Sequence, residues 1–393
     1  MRVAITDGAG GLVLSDRPLP AAVPGGGVVR VLACGLCGSD VEKLGEQVGG
    51  PGGGRHATPP GVVLGHEVVG LLERPGEAPL RVALAHHVPC GRCEACVRGH
   101  SSLCAQFVST HLDPGGFAEW LAVSPQHLAD AVFPLPESVD DLTGTLLEPL
   151  SCVVRAMDVA AAAVAMFPAP DVRGVADVRG VADVCGVAGG ARGAKAAPGT
   201  AGGVAAGPAA GPGRGAIPAD GVLVAGCGAI GLLFLTVLQA ASQGEPPPAQ
   251  PRGAAWTSST LFYLEHDTGR AALAEGLGAR PAGREPVQVA FVTAAAALPE
   301  VVRLMAPGGV VVVFAAAGVS AAQLDLDAVY RRELTLVGVR SGSPGHLLRA
   351  LDLLAGGRLH LDWLQPDVVA LDGLPAAVGR YLRGETLKVV ACP

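Results

Sequence analysis

The sequence predicts an α/β chain of two domains, one of them built on a doubly wound parallel sheet. Three observations carry that expectation. The chain has 393 residues, more than a single hydrophobic core usually organises, so two domains are expected. Gly226-Cys-Gly-Ala-Ile-Gly231 stands between a strand-like run, Val222-Leu-Val-Ala225, and an apolar helical pattern from Leu232 to Ala241. Val287 to Thr293 and Gly309 to Phe314 are short valine-rich runs without alternation, as strands buried on both faces are. Leu334-Thr-Leu-Val-Gly338 is expected to end the same sheet.

Composition narrows the class. Hydrophobic residues make up 50% of the chain and charged ones 16%, a balance that raises the question of a membrane. Gly221 to Ala241 carries no charge and is long enough to cross about 30 Å of hydrocarbon. Its three glycines fit a strand, a turn and a helix, whereas a spanning helix gives them no role. With no basic flank, and with no signal peptide in MRVAITDGAG, a soluble cytoplasmic chain is expected. The net charge is -7 and no lysine or arginine run occurs, so nucleic acid is not an expected partner.

Four places carry ligand-type side chains: Cys37 in Cys34-Gly-Leu-Cys-Gly-Ser-Asp40, His66 and Glu67 in Leu64-Gly-His-Glu-Val-Val-Gly70, the run from Cys90 to Cys104, and Glu148 in Leu147-Glu-Pro-Leu-Ser-Cys152. The run is the most specific. Cys90, Cys93 and Cys96 are three apart and Cys104 follows after a short loop, so four thiolates can close a tetrahedron around zinc. A ferredoxin cluster would need its last cysteine after three residues and then proline. Here the last gap holds seven residues and Ala105 follows. Four sulfur ligands leave no open position, so this site is expected to be structural. Taken singly, Cys37, His66 and Glu148 have bland readings as a small core residue, a turn and a helix feature. Ser39 is suited to a helix N-cap.

In this order, the segments Cys34 to Asp40, Gly65-His-Glu67, the four-cysteine lobe, Gly115-Gly-Phe-Ala-Glu119, Glu148-Pro-Leu150, the glycine turn and Leu387-Lys-Val-Val390 resemble the zinc-dependent medium-chain dehydrogenase/reductase (alcohol dehydrogenase) family, in particular its sorbitol and threonine dehydrogenase-like branch. The resemblance implies a β-rich GroES-like catalytic domain and a Rossmann domain. It implies a catalytic zinc on Cys37, His66 and a carboxylate, either Glu67 or Glu148, with one position open for water or substrate. It also implies a structural zinc on Cys90, Cys93, Cys96 and Cys104, making two zincs per chain. Ser39 stands where the family has a hydroxyl that relays a proton, and Cys152 is expected to be a packed neighbour of Glu148, four residues away on one helix. Glu42 departs from the histidine or aromatic residue frequent in that segment.

Glycines Gly226, Gly228 and Gly231, between a strand and a helix, form a dinucleotide fingerprint. The acidic residue that should close the next strand is Glu265, after Leu261-Phe-Tyr-Leu264, with Arg270 nearby on the cofactor side. A carboxylate there repels a 2'-phosphate, so NAD is expected over NADP.

The expected division is a GroES-like domain over 1–155, a low-complexity insertion over 156–219, a Rossmann domain over 220–340 with a proline-rich insert at 244–258, and a return to the first domain over 341–393. The insertion carries a hexad repeat starting at Asp171, Asp177 and Asp183, with Cys185 inside it, and is expected to be disordered. The function implied is hydride transfer between a small secondary alcohol or polyol and NAD. An amino-alcohol or primary-alcohol dehydrogenase and a non-catalytic zinc-stabilised NAD-binding protein are the alternatives. A homodimer or homotetramer is the assembly implied.

Overall fold

The computed structural model describes residues 1–45, 58–166, 221–243, 260–315 and 324–393. The N-terminal part begins with a hairpin of β1 (Arg2–Thr6) and β2 (Leu12–Asp16). Strand β3 (Gly27–Gly35) leads through a tight turn into helix α1 (Gly38–Lys43), and β4 (Glu67–Glu73) and β5 (Leu80–Leu84) follow. The cysteine lobe is a loop with two short helices, α2 (Glu94–Val97) and α3 (Ala105–Ser109). Strand β6 (Trp120–Val123), helix α4 (Pro125–Asp130), strand β7 (Val132–Pro134) and helix α5 (Asp141–Gly144) then lead to the long helix α6 (Leu147–Met166).

The Rossmann half alternates strand and helix. It runs β8 (Val222–Ala225), α7 (Ala229–Ser242), β9 (Leu261–Leu264), α8 (Thr268–Gly276), β10 (Arg280–Pro281) and β11 (Val287–Val292). Helix α9 (Leu298–Leu304), strand β12 (Met305–Val313), helix α10 (Leu326–Arg331) and strand β13 (Thr335–Gly338) complete it. All pairings are parallel and the order is β10-β9-β8-β11-β12-β13. This is the doubly wound order, whose direction reverses between β8 and β11 and leaves a crevice at their carboxyl ends. The fold is the expected α/β one, a GroES-like domain with a Rossmann domain. The apolar stretch Gly221 to Ala241 is β8, the glycine turn and α7, buried within this layer.

After β13 the chain forms α11 (Pro344–Ala355), β14 (Asp367–Ala370), α12 (Leu374–Leu382) and β15 (Val389–Cys392). Strand β15 pairs antiparallel with β3, so the last strand extends the N-terminal sheet, whose order is β14-β15-β3-β4-β5-β7 with β6 on β3.

One boundary differs from expectation. Residues 156–166 are not low-complexity insertion but the second half of α6, where Ala156, Met157, Ala160 and Ala161 are buried. Alanine is the strongest helix former, and its small side chain lets α6 pack closely on α11 and α7. The rest of the expected insertion, with the hexad repeat and Cys185, lies outside the described residues, as does the insert at 244–258. Among the described residues, α6 alone is long and apolar enough to cross a membrane, and most of it is buried in the protein.

Candidate active site

Strand pairing brings the ligand-type residues together. Gly35 of β3 faces Glu67 of β4 in register. Cys37, two residues beyond Gly35, and His66, one before Glu67, therefore meet at the same end of the sheet. The side-chain donor atoms of Cys37, His66 and Glu67 all lie within 4.8 Å of one another.

A buried carboxylate holds this cluster in shape. Asp40 sits in the first turn of α1, 1% exposed. One of its oxygens accepts from the Cys37 amide at 3.1 Å, and the other accepts from the Gly65 amide at 3.3 Å and lies 3.2 Å from His66 Nδ1. With Nδ1 turned to Asp40, His66 presents Nε2 outward, the arrangement in which a carboxylate orients a metal-binding imidazole. Burial alone would lower the His66 pKa, but Asp40 and Cys37 beside it outweigh burial and raise it well above the ordinary imidazole range. The N-cap of α1 is Cys37, and Ser39 lies within the helix, partly exposed, so its expected capping role falls to the cysteine.

Glu67 and Glu148 differ in their partners. Glu67 forms an ion pair with Lys388, whose Nζ also donates to Leu36 O at 3.2 Å. Gly35 makes room for the pair, since a Cβ there would stand 2.0 Å from Glu67 Oε2 and 3.1 Å from Lys388 Nζ. Glu148 is in the first turn of α6 and is not in the close donor group. Its Oε1 accepts from the Cys152 thiol at 3.4 Å, one turn along the helix, as the four-residue spacing predicts. Burial raises the Glu148 pKa, with nearby His66 opposing and Glu67 reinforcing the shift.

The four thiols of the lobe also lie within 4.8 Å of one another. Cys93 Sγ and Cys96 Sγ are 3.6 Å apart, and Cys90 Sγ and Cys96 Sγ are 4.0 Å apart. Sulfurs at Zn–S distances of about 2.3 Å stand about 3.8 Å apart in a tetrahedron, so this donor set fits zinc. Backbone amides of Cys90 and Cys93 point at the sulfurs of Cys104 and Cys90, at 3.4 and 3.3 Å. Hydrogen bonds from the Cys90 and Phe107 amides lower the Cys104 pKa to about 6. The lobe is tied down by Arg155 of α6, which donates to Gly99 O and Ser102 Oγ on one side and to Ser341 O on the other.

At the crevice between β8 and β11 the three glycines have separate tasks. Gly226 has φ +93 and turns the chain out of β8. A Cβ on Gly228 would meet nothing within 4 Å, which leaves the backbone open to a ligand. A Cβ on Gly231 would stand 1.9 Å from Gly226 O, so only glycine lets α7 approach β8 this closely. Glu265 lies directly after β9, with Oε2 accepting from the Cys227 amide at 2.8 Å and Oε1 accepting from the His266 and Asp267 amides at 2.8 and 3.0 Å. Arg270 is in the first turn of α8, whose N-cap Asp267 accepts from its amide at 2.9 Å.

Sequence reasoning missed Asp40 and Lys388 as site residues. Asp40 had a local signal, an acid three residues after a candidate ligand at a helix start. Lys388 had none, because it meets Glu67 across 321 residues. A third group, His86, His87 and His111, also went unremarked; it stands beside His66, with the His66 and His86 ring centroids 5.6 Å apart.

Residues 24–137 match the alcohol dehydrogenase GroES-like domain. Among curated proteins, the chain is 34% identical over 155 residues to D-altritol 5-dehydrogenase of Agrobacterium fabrum, a match covering 38% of this chain and 43% of that protein. It is 30% identical over 164 residues to sorbitol dehydrogenase of Bacillus subtilis, covering 40% and 44%. It is also 30% identical over 161 residues to L-threonine 3-dehydrogenase of the same organism, covering 38% and 43%. Each match thus spans less than half of the relative's length. Solved structures of similar fold include alcohol dehydrogenase from Thermus sp. ATN1, with a TM-score of 0.70 at 20% identity and full coverage of both chains. Another is 2R,3R-butanediol dehydrogenase from Bacillus subtilis, with a TM-score of 0.68 at 19% identity, covering 100% and 99%. Residues 24–137 thus form an alcohol dehydrogenase GroES-like domain, and the chain as a whole shares the two-domain fold of solved alcohol dehydrogenases.

Proposed function

We propose that the chain is a zinc-dependent oxidoreductase that moves a hydride between a small secondary alcohol or polyol and NAD. The observation that carries this reading is the close donor group Cys37, His66 and Glu67, with Asp40 fixing the imidazole. Three mixed donors leave a fourth position for a substrate, in contrast to the closed four-sulfur lobe. When bound there, zinc supplies Lewis acidity that makes a hydroxyl proton easier to lose.

The rest of the chemistry falls to this chain's own residues. Ser39, partly exposed two positions after Cys37, is the residue assigned to accept that proton and pass it toward solvent. Glu148, half-buried and with its pKa raised by desolvation, adds a second carboxyl whose charge can respond to changes at the cluster. The crevice at the ends of β8 and β11 receives the dinucleotide, with the pyrophosphate over Gly228 and the N-terminus of α7. Three backbone amides hold the Glu265 carboxylate in place, and its remaining lone pairs are free to accept from ribose hydroxyls. Because that carboxylate would face a 2'-phosphate, NAD is the preferred cofactor. Glu265→Ala is expected to weaken NAD roughly 10-fold while narrowing its advantage over NADP, which paired kcat/KM measurements with both cofactors would read.

Polyols are the substrate class of choice because two of the curated relatives named above are sugar-alcohol dehydrogenases. The open edge of the Rossmann sheet, β13, is the natural place for a second copy to pair, giving a homodimer or homotetramer. The test combines zinc quantification with an NAD-reduction screen over polyols, threonine and simple alcohols. Turnover of a polyol by zinc-loaded protein supports the proposal, a threonine-only response moves it to amino alcohols, and zinc-loaded protein that reduces NAD with none of them overturns it.

A further inference from the structure

We propose that His86, His87 and His111 form an additional metal site, for a divalent transition cation of the zinc class, at the base of the cysteine lobe. His86 and His87 follow the end of β5, where the chain enters the lobe, and His111 follows α3, where it leaves. Their donor nitrogens all lie within 4.8 Å of one another, and this set shares no residue with the Cys37 group or the four thiols.

The detailed geometry suits an ion. His111 Nδ1 and His86 Nε2 are 3.3 Å apart. Two nitrogens bound at 2.0 to 2.1 Å to one tetrahedral zinc stand about 3.4 Å apart. His87 Nδ1 donates to Thr110 O at 2.6 Å, which fixes the proton on Nδ1 and leaves the Nε2 lone pair available. The ring is held by Phe107, its centroid 4.5 Å away. His86 Nδ1 is buried with no hydrogen-bond partner, so that ring is anchored through Nε2 alone. Burial holds His86 well below the usual imidazole range, lowers His87 to about 4 and lowers His111, so all three rings are neutral and ligand-competent near neutral pH. No carboxylate belongs to the set, which favours an imidazole-loving cation over calcium or magnesium.

Such an ion would clamp the two strands of chain that enter and leave the lobe, next to His66 but on separate donors. The test is metal analysis of the full chain, purified with zinc and stripped of loose metal by gel filtration, against His111→Ala. His111 is exposed, so the substitution leaves the core intact. Wild type is expected to retain one zinc equivalent more than His111→Ala, and the cobalt-loaded proteins to differ by visible bands that lack thiolate charge transfer. Cys37→Ser should lose a different equivalent, so that the double variant loses both. Equal metal content and equal cobalt spectra in wild type and His111→Ala would overturn the site while leaving the Cys37 assignment untouched. Should the alanine variant lose its fold by circular dichroism, His111→Gln makes the same comparison.

Discussion

Cys37→Ser is expected to lower kcat/KM by at least about 100-fold while the fold survives. The thiol is one of three donors that converge where β3 and β4 end, and a serine hydroxyl is a far poorer ligand for zinc than a thiolate. The same position is the N-cap of α1, and serine is a preferred N-cap, so the helix start should be kept or improved. Loss of turnover together with one lost metal equivalent, unchanged circular dichroism and an unchanged melting temperature is the expected pattern. Activity within a few-fold of wild type would refute the assignment of Cys37.

Lys388→Met is expected to carry the largest stability cost, about 3 to 5 kcal/mol, read by urea denaturation. Lys388 and Glu67 are 6% and 1% exposed at their side chains, so removing one partner leaves a carboxylate buried without its counter-charge. Burial by itself would lower the Lys388 pKa, but Glu67 and Cys37 outweigh it and keep the ammonium charged. Methionine fills the same volume, which isolates the charge from the packing. Adding Glu67→Gln should recover a large part of the loss, because replacing both members of a buried pair is close to neutral. A single variant as stable as wild type would show that the pair does not hold the last strand in place.

The two halves of the fold were legible in the sequence to different depths. The glycine turn could be read because each glycine answers a local demand: a positive φ at Gly226, an open approach at Gly228, and contact between helix and strand at Gly231. Glu265 followed from where the next strand ends, even across an insert. The four cysteines were readable because thiols three apart close a small loop with little help from the rest of the chain. What escaped depended on register between distant strands. Lys388 reaches Glu67 only because β15 adds to β3, and the three histidines meet only because the lobe returns to its own base. The alanine run after Arg155 was misread for another reason: its helix is decided by packing against α11 and α7, and composition alone does not reveal a partner.

The long helix α6 has a consequence for how the molecule comes apart. One apolar cluster runs from Ala33, Val69 and Ala83 in the first sheet, through Leu150, Val153 and Met157 of α6, to Val222, Val289 and Val312 in the second. Melting either sheet therefore strips part of the lining from the other. Heat should take both down in a single cooperative step, with matching transitions from near-ultraviolet and far-ultraviolet probes, and neither half should behave as a stable fragment once α6 is cut from it.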